Sequence, residues 1–119
     1  MYQETERTRR VGELIKREIA IILLQEMDEP RFKMVSISAV TISRDLRNAT
    51  IFFTCIGAKY PADELQVELN QAKRQIRYLL SSRIRLKSTP VINFRVDTSI
   101  ERGIHLTQLI NSVIDAENW

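Results

Sequence analysis

The chain has 119 residues, 44% hydrophobic and 28% charged, which is the composition of a folded globular protein rather than a disordered one. Its length predicts one domain over residues 1–119. One cysteine excludes an internal disulfide and favours a reducing compartment. The longest apolar run, Ile19 to Leu24, is too short to cross a bilayer, and the N-terminus has no signal-like segment. We therefore predict a cytoplasmic protein without membrane contact.

The first predicted element is a helix. Its apolar residues recur at the i, i+3, i+4, i+7 spacing of one helix face, and only Glu18 breaks the pattern. From Ile19 to Leu24 the sequence is apolar almost all round, so the second half of this helix should be deeply buried. Pro30 ends the helix, because the residue before a proline is pushed out of helical conformation.

Two strands are predicted next, and together they form an antiparallel hairpin. The first alternating segment begins at Val35 and shifts its phase at Ala39–Val40, which indicates a β-bulge. The second, from Ala49 to Cys55, is rich in β-branched and aromatic residues. Asp45, which lies between them, is a typical turn residue.

A second helix, a third strand and a last helix complete the predicted order. The second helix begins near Pro61, and its buried stripe runs from Leu65 to Leu79. The third strand is "VINFRV", and the last helix, about residues 98–116, opens with capping-box spacing. The order α-β-β-α-β plus a C-terminal helix predicts an α+β domain with a three-stranded sheet.

Charge is distributed unevenly along the chain. The segment between Glu68 and Asp97, "LNQAKRQIRYLLSSRIRLKSTPVINFRV", has seven Lys or Arg and no Asp or Glu, although the whole chain has a net charge of only +3. Like charges at i,i+4 on a helix repel each other, and phosphate groups would turn that repulsion into attraction. A basic patch on an otherwise slightly acidic body therefore predicts a localised site for a polyanion such as RNA.

The candidate RNA-binding residues begin on the outer face of the second helix. At about 100° per residue, this face lies opposite the buried stripe and carries only positive charge. Arg83 would fall on the buried side of a straight helix, so the helix should bend or end near Ser81–Ser82, or the side chain should reach outward. The candidates are Lys73, Arg74, Arg77, Arg83, Arg85 and Lys87, with Arg7, Arg9 and Arg10 as a weaker second group.

Other interpretations of the sequence have less support. The basic face could instead dock an acidic protein partner. One histidine and one cysteine cannot form a four-ligand zinc site, and no glycine-rich phosphate loop is present, so we predict no catalytic residue, metal or cofactor. Cys55 is interpreted as a core residue. Tyr78 is the one candidate for base stacking, but edge packing is expected, so recognition should depend on backbone charge and shape.

Four segments stand out by their order and spacing: "ISRDL" (Ile42–Leu46), "IRYLL" (Ile76–Leu80), "RLKSTPVINF" (Arg85–Phe94) and "DTS" (Asp97–Ser99) followed by Gly103. Taken together, they resemble ribosome-binding factor A over most of the chain, from about Arg7 to Ile114. The resemblance implies a type II KH-like fold with helices on one face of a three-stranded sheet. It also implies a non-enzymatic protein that binds the free 30S ribosomal subunit and 16S rRNA, assists late maturation at the rRNA 5′ end, and supports growth in the cold. We expect the protein to act as a monomer.

The sequence departs from the family pattern at one place. Family members replace the GxxG loop of ordinary KH domains with an Ala-x-Gly kink, which aligns here with Ala72-Lys73-Arg74. Ala72 is kept, whereas Arg74 takes the place of the glycine. The resemblance therefore implies a kink at Ala72 that is gentler than a glycine would allow. Arg74 also adds a positive charge to the proposed surface.

Overall fold

The computed structural model describes residues 5–55, 57 and 61–98. The predicted C-terminal helix at about residues 98–116 lies outside these residues, apart from Thr98. No helix in the described ranges is long and apolar enough to cross a membrane. The elements are α1 (Glu6–Gln25), a 3-10 helix (Pro30–Met34), β1 (Val35–Ile42), β2 (Asn48–Cys55), α2 (Ala62–Gln71), α3 (Lys73–Arg83) and β3 (Val91–Val96).

The three strands form one mixed sheet in the order β1-β2-β3. β1 and β2 are antiparallel, as predicted, whereas β3 runs parallel to β2. Parallel neighbours need a long crossover connection, and α2 and α3 supply it. Alternate strand residues such as Ile51, Phe53 and Phe94 are fully buried beneath the helices. The predicted α+β, KH-like fold with a three-stranded sheet and helices on one face is therefore confirmed.

The start of α1 is fixed by a reciprocal cap. The Thr8 backbone N–H donates to Thr5 Oγ1 at 3.1 Å, and the Thr5 N–H donates to Thr8 Oγ1 at 2.9 Å. Two donors that the first helical turn leaves unpaired are satisfied in this way. From there α1 buries Ile15, Ile19 and Ile22 completely, as its apolar periodicity predicts.

The end of α1 differs from the sequence-based expectation. α1 stops at Gln25, and Pro30 begins the 3-10 helix instead of marking the helix end. Proline suits this position because its fixed φ matches a first helical turn. The short helix buries Phe32, and Arg31 Nη2 lies 2.6 Å from Glu68 Oε2 of α2. The connection between α1 and β1 is thus fastened to the second helix.

β1 contains the predicted bulge, with the register shift between Ile37 and Ala39. The extra residue is Ser38, whose hydroxyl donates to Phe52 O at 3.3 Å and also to Asp97 Oδ2. Ile37 and Val40 can therefore both pack against the core although three positions separate them.

The outer edge of β3 is covered by side chains of α2. Asn70 Nδ2 donates to Phe94 O at 3.0 Å, and the Phe94 N–H donates to Asn70 Oδ1 at 2.8 Å. The Val96 N–H donates to Gln66 Oε1 at 2.8 Å. An exposed strand edge offers unpaired backbone groups to other chains, and here α2 satisfies three of these groups.

Candidate nucleic-acid interface

The helical segment that carries the basic residues is divided at Ala72. Its backbone, at φ −90° and ψ 1°, lies outside the regular helical range, so α2 ends at Gln71 and α3 begins at Lys73. The Ala72 N–H donates to the carbonyls of Glu68 at 3.1 Å and Leu69 at 3.2 Å. The chain is therefore not one straight helix, and the interruption lies at the residue where the kink was expected.

Five of the six candidate cations carry charge that no described carboxylate neutralises. Arg74, Arg85 and Lys87 are exposed, and Lys73 Nζ donates to Asn93 Oδ1 at 3.2 Å. Among residues 5–55, 57 and 61–98, no carboxylate forms an ion pair with these residues or with Arg77. We call the set the basic face: Lys73, Arg74, Arg77, Arg85 and Lys87.

Within the basic face, Arg77 is held in place by backbone carbonyls. Its Nη2 donates to Thr89 O at 2.7 Å, and its Nε lies 3.2 Å from Thr89 O and 3.1 Å from Pro90 O. These bonds fasten the α3–β3 connection to α3. Since a guanidinium has five N–H donors, three remain after these contacts, and the positive charge is not cancelled by a neutral carbonyl.

Arg83 does not belong to this open surface, and here the sequence-based expectation needs correction. α3 continues through Arg83, and its Nε donates to Glu18 Oε2 at 2.7 Å. Arg83 Nη1 also lies 3.5 Å from Glu26 Oε1. The hydrogen bond from Arg83 lowers the pKa of the Glu18 carboxyl, although burial opposes the shift. Arg83 is therefore neutralised by Glu18 of α1 and by Glu26, the residue that follows α1, and it joins the two helices.

The aromatic side chain beside the basic face is more exposed than expected. Tyr78 is 72% exposed, so the edge packing expected from the sequence is wrong. Tyr78 lies one helical turn after Arg74, at the i,i+4 spacing that brings side chains together. An exposed ring beside a guanidinium offers a flat apolar face on which a nucleic-acid base can stack.

The N-terminal arginines divide into two kinds. Arg9 Nη2 and Arg10 Nε lie 2.8 Å and 3.0 Å from Glu6 Oε1, so both are paired locally. Arg7 instead lines a cleft together with Arg77 and Lys87. Arg47, which no sequence pattern singled out, lines the same cleft. The sequence around Arg47 predicts only a turn, and the pairing of the folded sheet brings this turn beside the start of β3.

Cys55 is a partly buried residue at the end of β2, as its alternating position predicts. It packs against the core cluster, and burial raises the pKa of its thiol. A thiol that stays protonated is a poor nucleophile. The position is thus explained by packing.

Comparison with known proteins places these features in a family. The sequence profile described as "Ribosome-binding factor A" matches residues 7–110. Proteins with that name from Alkalilimnicola ehrlichii and Nitrosococcus oceani are 39% and 40% identical, each alignment covering 98% of this chain and 91% and 92% of the relative.

Solved structures show the same fold. The crystal structure of ribosome-binding factor A from Thermus thermophilus superposes with a TM-score of 0.66 at 20% identity, over 75% of this chain and 94% of that one. A second match, with a TM-score of 0.63 at 20% identity, covers 76% and 96% of the two chains. It is a homology model of the Thermus thermophilus protein fitted into a cryo-electron microscopy map of a 30S–RbfA complex. With a matching profile over most of its length and close relatives of the same name, the chain belongs to the ribosome-binding factor A family.

Proposed function

We propose that this protein is a cytoplasmic assembly factor that binds the free 30S subunit through the phosphate backbone of 16S rRNA. It would assist late maturation at the rRNA 5′ end by occupying the subunit rather than by catalysis, and it would act as a monomer. The observation that carries this proposal is the basic face: five cations without a carboxylate partner in the described residues, held on α3 and the connection to β3.

The physical basis of this binding is counterion release. Each phosphate that a Lys or Arg neutralises frees condensed counterions, so affinity should fall steeply as salt is raised. The planar fork of Arg74 and Arg85 suits phosphate oxygens, and Arg77 keeps three N–H donors for the same purpose. α3 holds Lys73, Arg74 and Arg77 on a regular element, which limits the ordering cost of binding.

Family membership supports the choice of partner. The Thermus thermophilus relative was fitted into the map of a 30S–RbfA complex, and we extend that partner to this chain by proposal. The alternative is an acidic protein docked on the same cations, and a steep salt slope seen with ribosomal RNA and not with an acidic peptide separates the two. Tyrosine is also common at protein–protein interfaces, so an exposed Tyr78 is compatible with both partners. Base stacking on that ring is available only to a nucleic acid.

Sedimentation tests the proposal directly. The protein should be mixed in parallel with purified small subunits, large subunits and assembled ribosomes, and each particle should then be pelleted through sucrose. We expect co-sedimentation with small subunits only. Equal amounts of the protein in all three pellets would show that the basic face binds RNA without specificity for the small subunit. Absence of the protein from all three pellets would overturn the proposed partner.

A cellular measurement tests the maturation step. A strain lacking the protein should accumulate 16S rRNA with an extended 5′ end, more strongly in the cold, and the wild-type gene should restore processing. A variant with Arg74→Glu and Arg85→Glu should not restore it. Normal 5′ ends in the strain without the protein would overturn the maturation role while leaving subunit binding intact.

A further inference from the structure

The cleft that contains Arg47 gathers positive charge from four separate parts of the chain. Its cations come from the first turn of α1, the β1–β2 hairpin, α3 and the α3–β3 connection, and the cavity has a volume of about 700 Å³. We call it the hairpin cleft. Its cations are Arg7, Arg47, Arg77 and Lys87.

One carboxylate, Asp45, also lines the hairpin cleft, and it accepts hydrogen bonds from residues of the same hairpin. Asp45 Oδ1 accepts hydrogen bonds from Ser43 Oγ at 2.6 Å and from the Arg47 N–H at 3.0 Å. These two bonds lower the pKa of the Asp45 carboxyl, and the bond from Ser43 has the larger effect. The carboxyl is therefore charged at neutral pH. Four cations against one carboxylate still leave the lining with a net charge of +3.

The backbone around the hairpin cleft is already ordered. The Val91 N–H donates to Arg47 O at 2.8 Å, which ties the hairpin to the start of β3. Leu46 has a φ of +60°, an uncommon conformation for a branched side chain, and it is held there by packing against the core. On the opposite side, the bonds from Arg77 to Thr89 and Pro90 fix the α3–β3 connection. A ligand would therefore meet walls that need little rearrangement.

We propose that the hairpin cleft binds a backbone phosphate of RNA, so that the β1–β2 hairpin extends the interface beyond α3. This inference rests on the proposed function, because Arg77 and Lys87 belong to both the basic face and the cleft. The phosphates of an RNA strand that lies along α3 can therefore stay in contact with positively charged side chains as the strand enters the cleft. A cavity of about 700 Å³ has room for a phosphate together with the sugars on either side of it.

Two matched substitutions on the hairpin test the proposal. Arg47 and Arg44 are both exposed and lie on the same hairpin, but only Arg47 lines the cleft. Binding of Arg47→Ala and Arg44→Ala to small subunits should be measured over a series of KCl concentrations. For Arg47→Ala we expect about tenfold weaker binding and a salt slope smaller by about one, as for one lost phosphate contact. Arg44→Ala should keep the wild-type slope.

The outcomes separate this inference from the proposed function. If the wild-type protein does not bind small subunits, the proposed function fails and the cleft proposal fails with it. If the wild type binds and Arg47→Ala matches Arg44→Ala, only the cleft proposal fails. Should Arg47→Ala unfold, Arg7→Ala provides the same test from the first turn of α1, because Arg7 lines the cleft and is not part of the basic face.

A competition experiment distinguishes an RNA phosphate from a free phosphate compound. Inorganic pyrophosphate should be titrated against the wild-type complex with KCl adjusted to constant ionic strength. We expect no displacement of the RNA at millimolar pyrophosphate. Displacement in the wild type that is lost in Arg47→Ala would assign the cleft to small phosphate compounds and overturn the proposal.

Discussion

Arg83 Nε donates a hydrogen bond to Glu18 Oε2 at 2.7 Å, and this contact joins the last residue of α3 to the middle of α1. The Glu18 side chain is only 12% exposed and the Arg83 side chain 31%. A carboxylate taken out of water needs such a partner. The pair therefore accounts for two irregularities of the sequence, the acid in the apolar stripe of α1 and the arginine on the buried side of α3.

The first prediction concerns how this pair responds to acid. Its hydrogen bond with Arg83 lowers the pKa of Glu18 from an ordinary value near 4.5, so the folded state favours the ionised form more than the unfolded state does. The stabilisation is complete above pH 4.5 and is lost as pH falls through the lowered pKa. Glu18→Gln should flatten the decline of stability below that pH. Urea midpoints of the wild type and the variant at pH 3, 4, 5 and 7 measure this decline. Midpoints that fall equally with pH in both proteins would contradict the prediction.

The second prediction concerns the covered edge of β3. Asn70→Ala removes the donor and the acceptor that meet the backbone of Phe94. Leaving partly buried backbone groups unpaired should cost about 1–3 kcal/mol of unfolding free energy. Urea denaturation measures the loss, and Gln71→Ala, at an exposed position one residue along, is the control. If the two variants are equally stable, the edge does not depend on Asn70.

The third prediction concerns the exposed ring of Tyr78. Base stacking on an aromatic side chain is worth about 1–3 kcal/mol, so Tyr78→Ala should weaken RNA binding roughly five- to hundredfold. Tyr78→Phe keeps the ring and should bind like the wild type. Neither change should alter the unfolding midpoint much, since the side chain is 72% exposed. Full affinity in Tyr78→Ala would limit recognition to the phosphate backbone.

Much of the fold follows from local sequence patterns. The periodicity of α1, the alternation of β1 and β2 and the stripe on α2 and α3 each give an element of the correct type, because burial dictates the repeat. The interruption at Ala72 came from the family resemblance, since nothing in the spacing of Leu65, Leu69 and Ile76 requires it. The 3-10 helix was missed because Pro30 is compatible with both ending one helix and beginning another.

The contacts that decide the site are long-range, and local patterns do not contain them. Glu18 and Arg83 are 65 residues apart, so counting charges placed Arg83 on the open surface although the fold neutralises it. The sequence did indicate that the two residues could pair, since each charged side chain fell on the predicted buried side of its helix. The hairpin cleft left no such signal, because Arg47 lies in a segment that reads only as a turn.

The central claim is that the basic face holds the phosphates of 16S rRNA, and it is tested best without disturbing Arg77, whose bonds to Thr89 and Pro90 support the α3–β3 connection. Arg74→Glu with Arg85→Glu reverses two exposed charges that have no carboxylate partner in the described ranges. Lys16→Glu with Lys33→Glu makes the same change in net charge away from the face.

Affinity for small subunits should be measured for both double variants and the wild type, with urea midpoints to verify folding. For the basic-face variant we predict at least about hundredfold weaker binding, since a hydrogen bond to a charged group is worth about 1.5 kcal/mol or more. The control should stay within about threefold of the wild type. Equal losses in the two variants, or no loss in either, would contradict the account.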